Sequence, residues 1–268
     1  MKYNRVLTIA GSDSGGGAGI QADIKTISAC GSYAASAITA ITVQNTIGVS
    51  AVHPLPIDII EGQIDAVLCD IGADAVKIGM LHSSEVMISV KKLLQQHAVK
   101  NIVLDPVMVS TSGHKLMKDE AIETLMHELL HEARVITPNI PEAQILLEKT
   151  ITDQNELPSF ARELSYNRTV SVLLKAGHLT NDKLIDIFYN AETDEVIELS
   201  SQRIDTRNTH GTGCTLSSAI AAFLAQGFSL NHSVIQAKEY VNNAIIKGKP
   251  YQIGGGHGPV HHFYGFWG

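Results

Sequence analysis

Short apolar strands alternate with amphipathic helices along most of this chain, and no other feature limits its fold so strongly. Strands are expected at residues 5–11, 33–44, 73–79, 101–107, 134–137, 170–176 and 183–189, with 195–200 as the last one's partner in an edge hairpin. Helices are expected at 19–29, 56–69, 83–96, 118–132, 140–147, 157–166 and 211–225, and another long helix follows Gly227. In the helix at 211–225, Leu216, Ala219, Ile220, Phe223 and Leu224 recur at helical spacing and make one apolar face. Leu230, Val234, Ala237, Val241 and Ile245 draw a similar stripe. Repeated strand–helix units imply a mainly parallel sheet with helices on both faces, an α/β fold of three layers. No repeat, low-complexity tract or linker breaks the pattern, so residues 1–268 are read as one domain.

That architecture predicts where a ligand binds. In open α/β sheets, sites form at the carboxyl ends of the strands. After the expected strands come a glycine-rich turn (residues 11–19), Gly79 and Met80, Asp105-Pro106, Pro138-Asn139, and Lys175-Ala176-Gly177. Glycine, acid, amide and lysine therefore collect along one crest.

Charge and cysteine content narrow the partners. The formal net charge of −7 makes a nucleic-acid partner improbable, because such binders rely on Lys and Arg against phosphates. Local phosphate binding through backbone N–H groups stays open. Three scattered cysteines, Cys30, Cys69 and Cys214, suit a reducing cytoplasm better than a disulfide framework. The apolar run near the N-terminus is too short for a signal peptide, and no run reaches the length of a membrane span. A cytoplasmic protein without a membrane partner is expected.

Each motif carries a local reading beside a functional one. The turn at 11–19 brings backbone close to a ligand, or simply bends. Its register Gly17-x-Gly19-x-x-Ala22 fits dinucleotide-binding spacing but lacks the later ribose-binding acid, and no Gly-Lys-Ser/Thr marks a Walker loop. Asp23, early in the next helix, either complements the helix dipole or serves the site. Asn139-Ile140-Pro141-Glu142 reads locally as a capping box, and functionally as a carboxylate that helps hold Mg²⁺. His210-Gly211-Thr212-Gly213-Cys214 opens a long helix, where Gly211 and Gly213 leave N–H groups free as an anion hole. Cys214 in that positive field is expected to have a lowered thiol pKa. The alternative is a tight turn with a small buried cysteine. The glycine-rich turn and the polar loop at 110–115 are the segments expected to move.

Two histidine motifs are read as structural. His127-Glu128-Leu129-Leu130-His131 matches the zinc-protease spacing, so a zinc hydrolase is the alternative of another class. Its histidines flank the apolar stripe of Ile122, Leu125, Met126, Leu129 and Leu130 and are expected in solvent, with no downstream Gly-x-x-His to supply a third ligand in the metzincin manner. The tail from Gly254 to His262 is expected to pack back on the domain rather than bind metal.

Together the motifs resemble the ribokinase-like superfamily, and within it the hydroxymethylpyrimidine kinase / phosphomethylpyrimidine kinase branch of thiamine biosynthesis. The pieces are residues 10–23, Val43-Gln44-Asn45-Thr46, Lys77-Ile78-Gly79-Met80-Leu81, Asp105-Pro106-Val107-Met108, residues 137–143, Lys175-Ala176-Gly177-His178, residues 210–215 and the tail 256–262. The resemblance implies a three-layer α/β/α ribokinase-like fold and ATP-dependent, Mg²⁺-assisted phosphorylation of 4-amino-5-hydroxymethyl-2-methylpyrimidine, then of its monophosphate. It implies Gln44, Asp23, Met80 and Gly11 around the pyrimidine. It places Asp105, Asn139, Lys175 and Thr209 toward the nucleotide, with Glu142 and Asn139 organising the metal. It implies catalysis by Gly211, Thr212, Gly213 and Cys214, the last standing where the wider superfamily carries Asp as general base. A homodimer is also implied. A pyridoxal kinase on the same fold is the nearest alternative, and Gln44 favours the pyrimidine.

Overall fold

The computed structural model describes residues 3–108, 117, 119–179 and 182–267, so the loop at 110–115 lies outside the described residues. Among the described residues nine strands form one sheet in the order β3-β2-β1-β4-β5-β6-β7-β8-β9. They are β1 (Arg5–Asp13), β2 (Tyr33–Gln44), β3 (Val49–Pro54), β4 (Ala75–Ile78), β5 (Ile102–Leu104), β6 (Val135–Ile136), β7 (Ser171–Leu174), β8 (Lys183–Asn190) and β9 (Glu195–Gln202). β2, β1, β4, β5, β6 and β7 run parallel, while β3 pairs antiparallel at one edge and β8 and β9 at the other.

The helices are α1 (Gly19–Ala29), α2 (Ile57–Ala66), α3 (Ser84–Gln96), α4 (Asp119–Thr124), α5 (Ile140–Leu147), α6 (Leu157–Leu164), α7 (Thr212–Ala225) and α8 (Leu230–Gly248). Successive residues of a strand point to opposite faces, so the central strands feed two cores. Leu7, Ile78, Leu104 and Leu174 pack with Ile60, Val90 and Leu125 from the layer of α2 to α6. Val6, Val103 and Leu173 pack on the other face with Ile27, Leu216, Ile220 and Val234 from α1, α7 and α8. This double coverage explains why β4 and β7 are buried at every residue.

The expected elements and the observed ones differ most in three places. The hairpin strand β3 has no counterpart in the expectation, because five of its six residues are exposed and carry no alternating pattern. Its turn is closed by Asn45, whose Oδ1 accepts from the Ile47 and Gly48 N–H groups at 2.8 and 3.3 Å. The helix expected at 56–69 ends as a π turn at Val67–Ile71 before Gly72. The helix expected at 118–132 is α4, a π turn at Leu125–Leu129 and a 3₁₀ turn at Leu130–Glu132. His127 and His131 are exposed there. Glu128 pairs with Lys91 at 2.9 Å, and His131 packs edge-on against Tyr166. Among the described residues neither histidine joins a group of three metal ligands. The group that does form, Asp65, Cys69 and His97, sits where α2 and α3 end, at the amino side of the sheet.

The tail packs onto the domain. His261 N–H donates to the Ala244 carbonyl at 3.0 Å, and His257 N–H to the Thr46 carbonyl at 2.8 Å. His262 is buried against Thr215, and burial pushes its imidazole down to about 3, so the ring is neutral. Among the described residues no helix is long and apolar enough to cross a membrane.

Candidate active site

A cavity of about 750 Å³ opens along the carboxyl ends of the parallel strands. Gly11, Gln44 and Met80 stand toward β1, β2 and β4, and Asp105, Asn139, Glu142 and Lys175 toward β5, β6 and β7. Thr209 through Cys214 line it from the start of α7. A further wall comes from His178, Leu184, Arg203, Val241, Asn242 and Ile245.

The glycine-rich turn is folded around one carboxylate. Asp13, at the end of β1, accepts from the N–H groups of Gly15, Gly17 and Ala18 at 2.8, 3.0 and 2.8 Å. Its Oδ2 also lies 2.9 Å from His210 Nε2. Burial pushes the Asp13 carboxyl up, but these hydrogen bonds outweigh it and hold the group below the usual carboxylate range. The turn lies against the start of α7. Gly211 sits at φ +77°, and a Cβ there would come 1.8 Å from the Gly17 carbonyl oxygen. Only glycine fits that left-handed, crowded position.

The start of α7 leaves donors for an anion. The Thr215 N–H bonds the Gly211 carbonyl at 2.9 Å, and the Thr212 N–H reaches Thr209 at 3.3 Å. Helix geometry then leaves the Gly213 and Cys214 N–H groups without a helical acceptor. The Lys175 ammonium lies beside Gly213, within 3.4 Å of where a Cβ would stand. Thr209 caps this end through its carbonyl, which accepts from the Thr212 hydroxyl at 2.6 Å.

The Cys214 thiol departs from expectation. Burial, with Asp23 and Asp105 nearby, pushes it up to about 11, against the lowering pull of Lys77 and the Gly19 N–H. The positive helix end is local and partial, whereas the loss of water acts on the whole thiolate charge.

Asp23 also departs from expectation. It does not reach the cavity but lies fully buried beneath it. Both of its oxygens lie 2.9 Å from Lys77 Nζ, and they accept from the Thr8 and Ser218 hydroxyls at 2.6 and 2.7 Å. All four contacts to its oxygens come from fully buried groups. Lys77 lines the floor of the cavity, itself buried, and Asp23 holds it there. A lysine in the apolar strand Ala-Val-Lys-Ile was the available signal, because a buried ammonium demands a partner.

At the opposite end, Asp105 Oδ1 accepts from Lys175 Nζ at 3.0 Å and from the Thr137 hydroxyl at 2.8 Å. The capping box is present: Asn139 Oδ1 accepts from the Glu142 N–H at 3.0 Å, and Glu142 Oε2 from the Asn139 N–H at 2.8 Å. Burial raises the Glu142 carboxyl to about 7, with Asp105 adding to the rise and Lys175 opposing it. Gln44 lies between Thr42 and His210, and a Cβ on Gly11 would come 2.6 Å from the Met80 methyl. Of the residues the resemblance assigns to the site, Asp23 alone is absent from the cavity wall, and of the residues expected along the crest Gly79, Pro106, Pro138 and Ala176 are absent from it too.

Residues 13–261 match the family model for phosphomethylpyrimidine kinase. A hydroxymethylpyrimidine/phosphomethylpyrimidine kinase of Rhizobium meliloti is 47% identical over 262 residues, covering 97% of each chain. The crystal structure of a phosphomethylpyrimidine kinase from Clostridium difficile superposes with a TM-score of 0.78 at 43% identity, covering 90% of this chain and 99% of that one. A pyridoxal kinase of Staphylococcus aureus, solved with AMP-PCP and pyridoxal, superposes with a TM-score of 0.89 at 32% identity, covering 99% of this chain and 96% of that one.

Proposed function

The chain belongs to the phosphomethylpyrimidine kinase family, and from that premise we propose that the cavity at the strand ends performs both phosphoryl transfers of the family. The reaction is phosphorylation of 4-amino-5-hydroxymethyl-2-methylpyrimidine and then of its monophosphate, in thiamine biosynthesis. One observation carries the reading. One and the same cavity is lined by an amide and a methionine, and by a helix N-terminus with two acids and a lysine. The first set suits an aminopyrimidine and the second suits phosphates.

In this reading Gln44 meets the aminopyrimidine edge, since an amide offers both a donor and an acceptor. Met80 packs beside the ring, and Gly11 leaves room for its methyl. Lys77 presents its ammonium to the cavity floor, fixed by Asp23. The Gly213 and Cys214 N–H groups receive charge on the moving phosphoryl group, helped by Lys175. Gly211 and Thr212 set the start of the helix that aims them. Asp105, Asn139, Lys175 and Thr209 face ATP, with the apolar Leu184, Val241 and Ile245 beside its base.

The oxygen donors of Glu142, Asn139 and Asp105 fit a hard dication that keeps most of its waters, because the capping box already engages the first two. Mg²⁺ there would spread the charge of the phosphates. Glu142, with its carboxyl near 7, holds or releases a proton according to that charge. Cys214 is a thiol at neutral pH, so it does not serve as a base resting in its ionised form. A loose phosphoryl transfer needs no strong base, and positioning with charge neutralisation supplies the rate.

A coupled ATP-turnover assay with Mg²⁺ tests this on three acceptors. Turnover of the hydroxymethylpyrimidine and its monophosphate is the expected result. Turnover of pyridoxal alone would overturn the substrate assignment and favour the second reading, which the pyridoxal kinase superposition supports. The implied homodimer is supported by Ile41, Val43 and Val52, exposed on the β2–β3 edge, and sedimentation velocity would reveal it.

A further inference from the structure

The hydrogens around Gln44 can be counted, and the count fixes which way its amide points. His210 Nε2 lies 2.9 Å from Asp13 Oδ2 and 3.3 Å from Gln44 Nε2. Asp13 is ionised and can only accept, so His210 Nε2 bears the hydrogen, whether the ring is neutral or charged. A nitrogen that bears hydrogen cannot accept from an amide N–H. On the other side, Thr42 Oγ1 lies 2.9 Å from the Ser12 carbonyl and 3.1 Å from Gln44 Oε1. The hydroxyl has one hydrogen, and the carbonyl, which only accepts, takes it. Turning the amide by half a rotation about its last bond satisfies every group. Its oxygen then accepts from His210 Nε2–H, its nitrogen donates to Thr42 Oγ1, and Thr42 donates to Ser12.

We propose that His210 is a positioning residue that holds the Gln44 amide with its oxygen toward the imidazole and its nitrogen toward Thr42, and so sets the donor–acceptor order the substrate ring must match. This rests on the reading of Gln44 as the group that meets the pyrimidine edge. The network uses one lone pair of the amide oxygen and one amide hydrogen, leaving one of each for the cavity. An incoming ring must place an N–H on the His210 side and a bare ring nitrogen on the Thr42 side. A 4-aminopyrimidine has that order. Its 4-oxo counterpart, with a carbonyl beside a ring N–H, has the reverse.

The imidazole is itself held. The His210 N–H donates to the Gly258 carbonyl at 3.0 Å, and a Cβ on Gly17 would come 2.4 Å from His210 Cδ2. The side chain is 13% exposed against a 3% exposed Asp13. His210 thus ties the glycine-rich turn, the Gln44 amide, the tail and the start of α7 at one point.

The experiment compares kcat/KM for the 4-amino ring and its 4-oxo counterpart in the wild type and in His210→Ala, His210→Gln and Gln44→Ala. The wild type is expected to prefer the amino ring by about 100-fold or more, since a fixed polar site rejects a mismatched partner. In His210→Ala the preference falls by about tenfold or more, chiefly through KM, because the amide is free to turn. His210→Gln, whose own amide N–H can donate, recovers part of the preference. An unchanged preference in His210→Ala beside a collapsed one in Gln44→Ala overturns the proposal. An unchanged preference in Gln44→Ala overturns the reading of Gln44 itself. Should His210→Ala not fold, Thr42→Val removes the other anchor of the amide, and an unchanged preference there overturns the proposal as well.

Discussion

Replacing Asp23 with Asn would leave a buried ammonium without its counter-charge at nearly constant volume. Asp23 and Lys77 are both fully buried. Breaking such a pair from one side costs about 3–5 kcal/mol, which for a chain of this size lowers Tm by roughly 6–20 °C. The pH dependence is the sharper test. In the wild type, burial pulls Lys77 down but Asp23, Cys214 and Asp105 outweigh it, so its pKa stands above the ordinary 10.5. The unfolded chain then loses the Lys77 proton first as pH rises. The pair's contribution is whole below 10.5 and lost as pH climbs through the folded value. Asp23→Asn removes the largest of the opposing charges, so burial is expected to prevail over Cys214 and Asp105 and bring the folded pKa below 10.5; the folded state then loses the proton first and stability rises with pH toward that value. Urea unfolding of both proteins from pH 7 to 10 measures the difference. A stability gap that narrows as pH rises is expected. A gap that stays level or widens would refute Asp23 as the group that keeps the buried Lys77 charged. The double variant Asp23→Leu/Lys77→Met supplies a control, since it should recover much of the loss suffered by Asp23→Leu.

Other predictions rest on other parts of the site. Gly211→Ala places a Cβ against the Gly17 carbonyl at a left-handed φ, and kcat should fall about 100-fold or more while ATP still binds. A carboxyl raised to about 7 from 4.5 makes Glu142 destabilising as pH rises between those values, because the folded state keeps a proton the unfolded state has lost. Without Mg²⁺, Glu142→Gln should therefore gain about 1–3 kcal/mol on the wild type between pH 5 and 8, read from urea midpoints. With Cys30 and Cys69 replaced by Ser, alkylation of Cys214 by iodoacetamide should climb about tenfold per pH unit until the pH nears 11, and a plateau below pH 8 would restore the thiolate base. His127→Ala and His131→Ala should leave turnover unchanged and stability within about 0.5 kcal/mol, whereas loss of activity with loss of zinc would revive the hydrolase.

Local pattern carried much of this protein. Helical spacing, period-two burial and turn residues act over a few positions, so the alternation of elements, the start of α1 at Gly19 and the capping box at Asn139 could be read directly. The crest of functional residues followed from the rule for parallel strands, without knowledge of side-chain positions. Tertiary structure decided what depends on distant partners. Lys77 and Asp23 are separated by 54 positions, Ser218 and Asp23 by 195, and His210 and Asp13 by 197. No local pattern encodes such meetings: the local reading left Asp23 between the helix dipole and the site, the resemblance put it around the pyrimidine, and the structure buries it beneath the cavity. The Cys214 thiol shows the same division: the helix N-terminus that would lower it is visible in the sequence, while the burial that raises it to about 11 exists only once α7 packs against the sheet. Sequence motifs, and the resemblance they carry, named candidate residues; packing decided which of them face the cavity, which hold the others in place, and which carry charge.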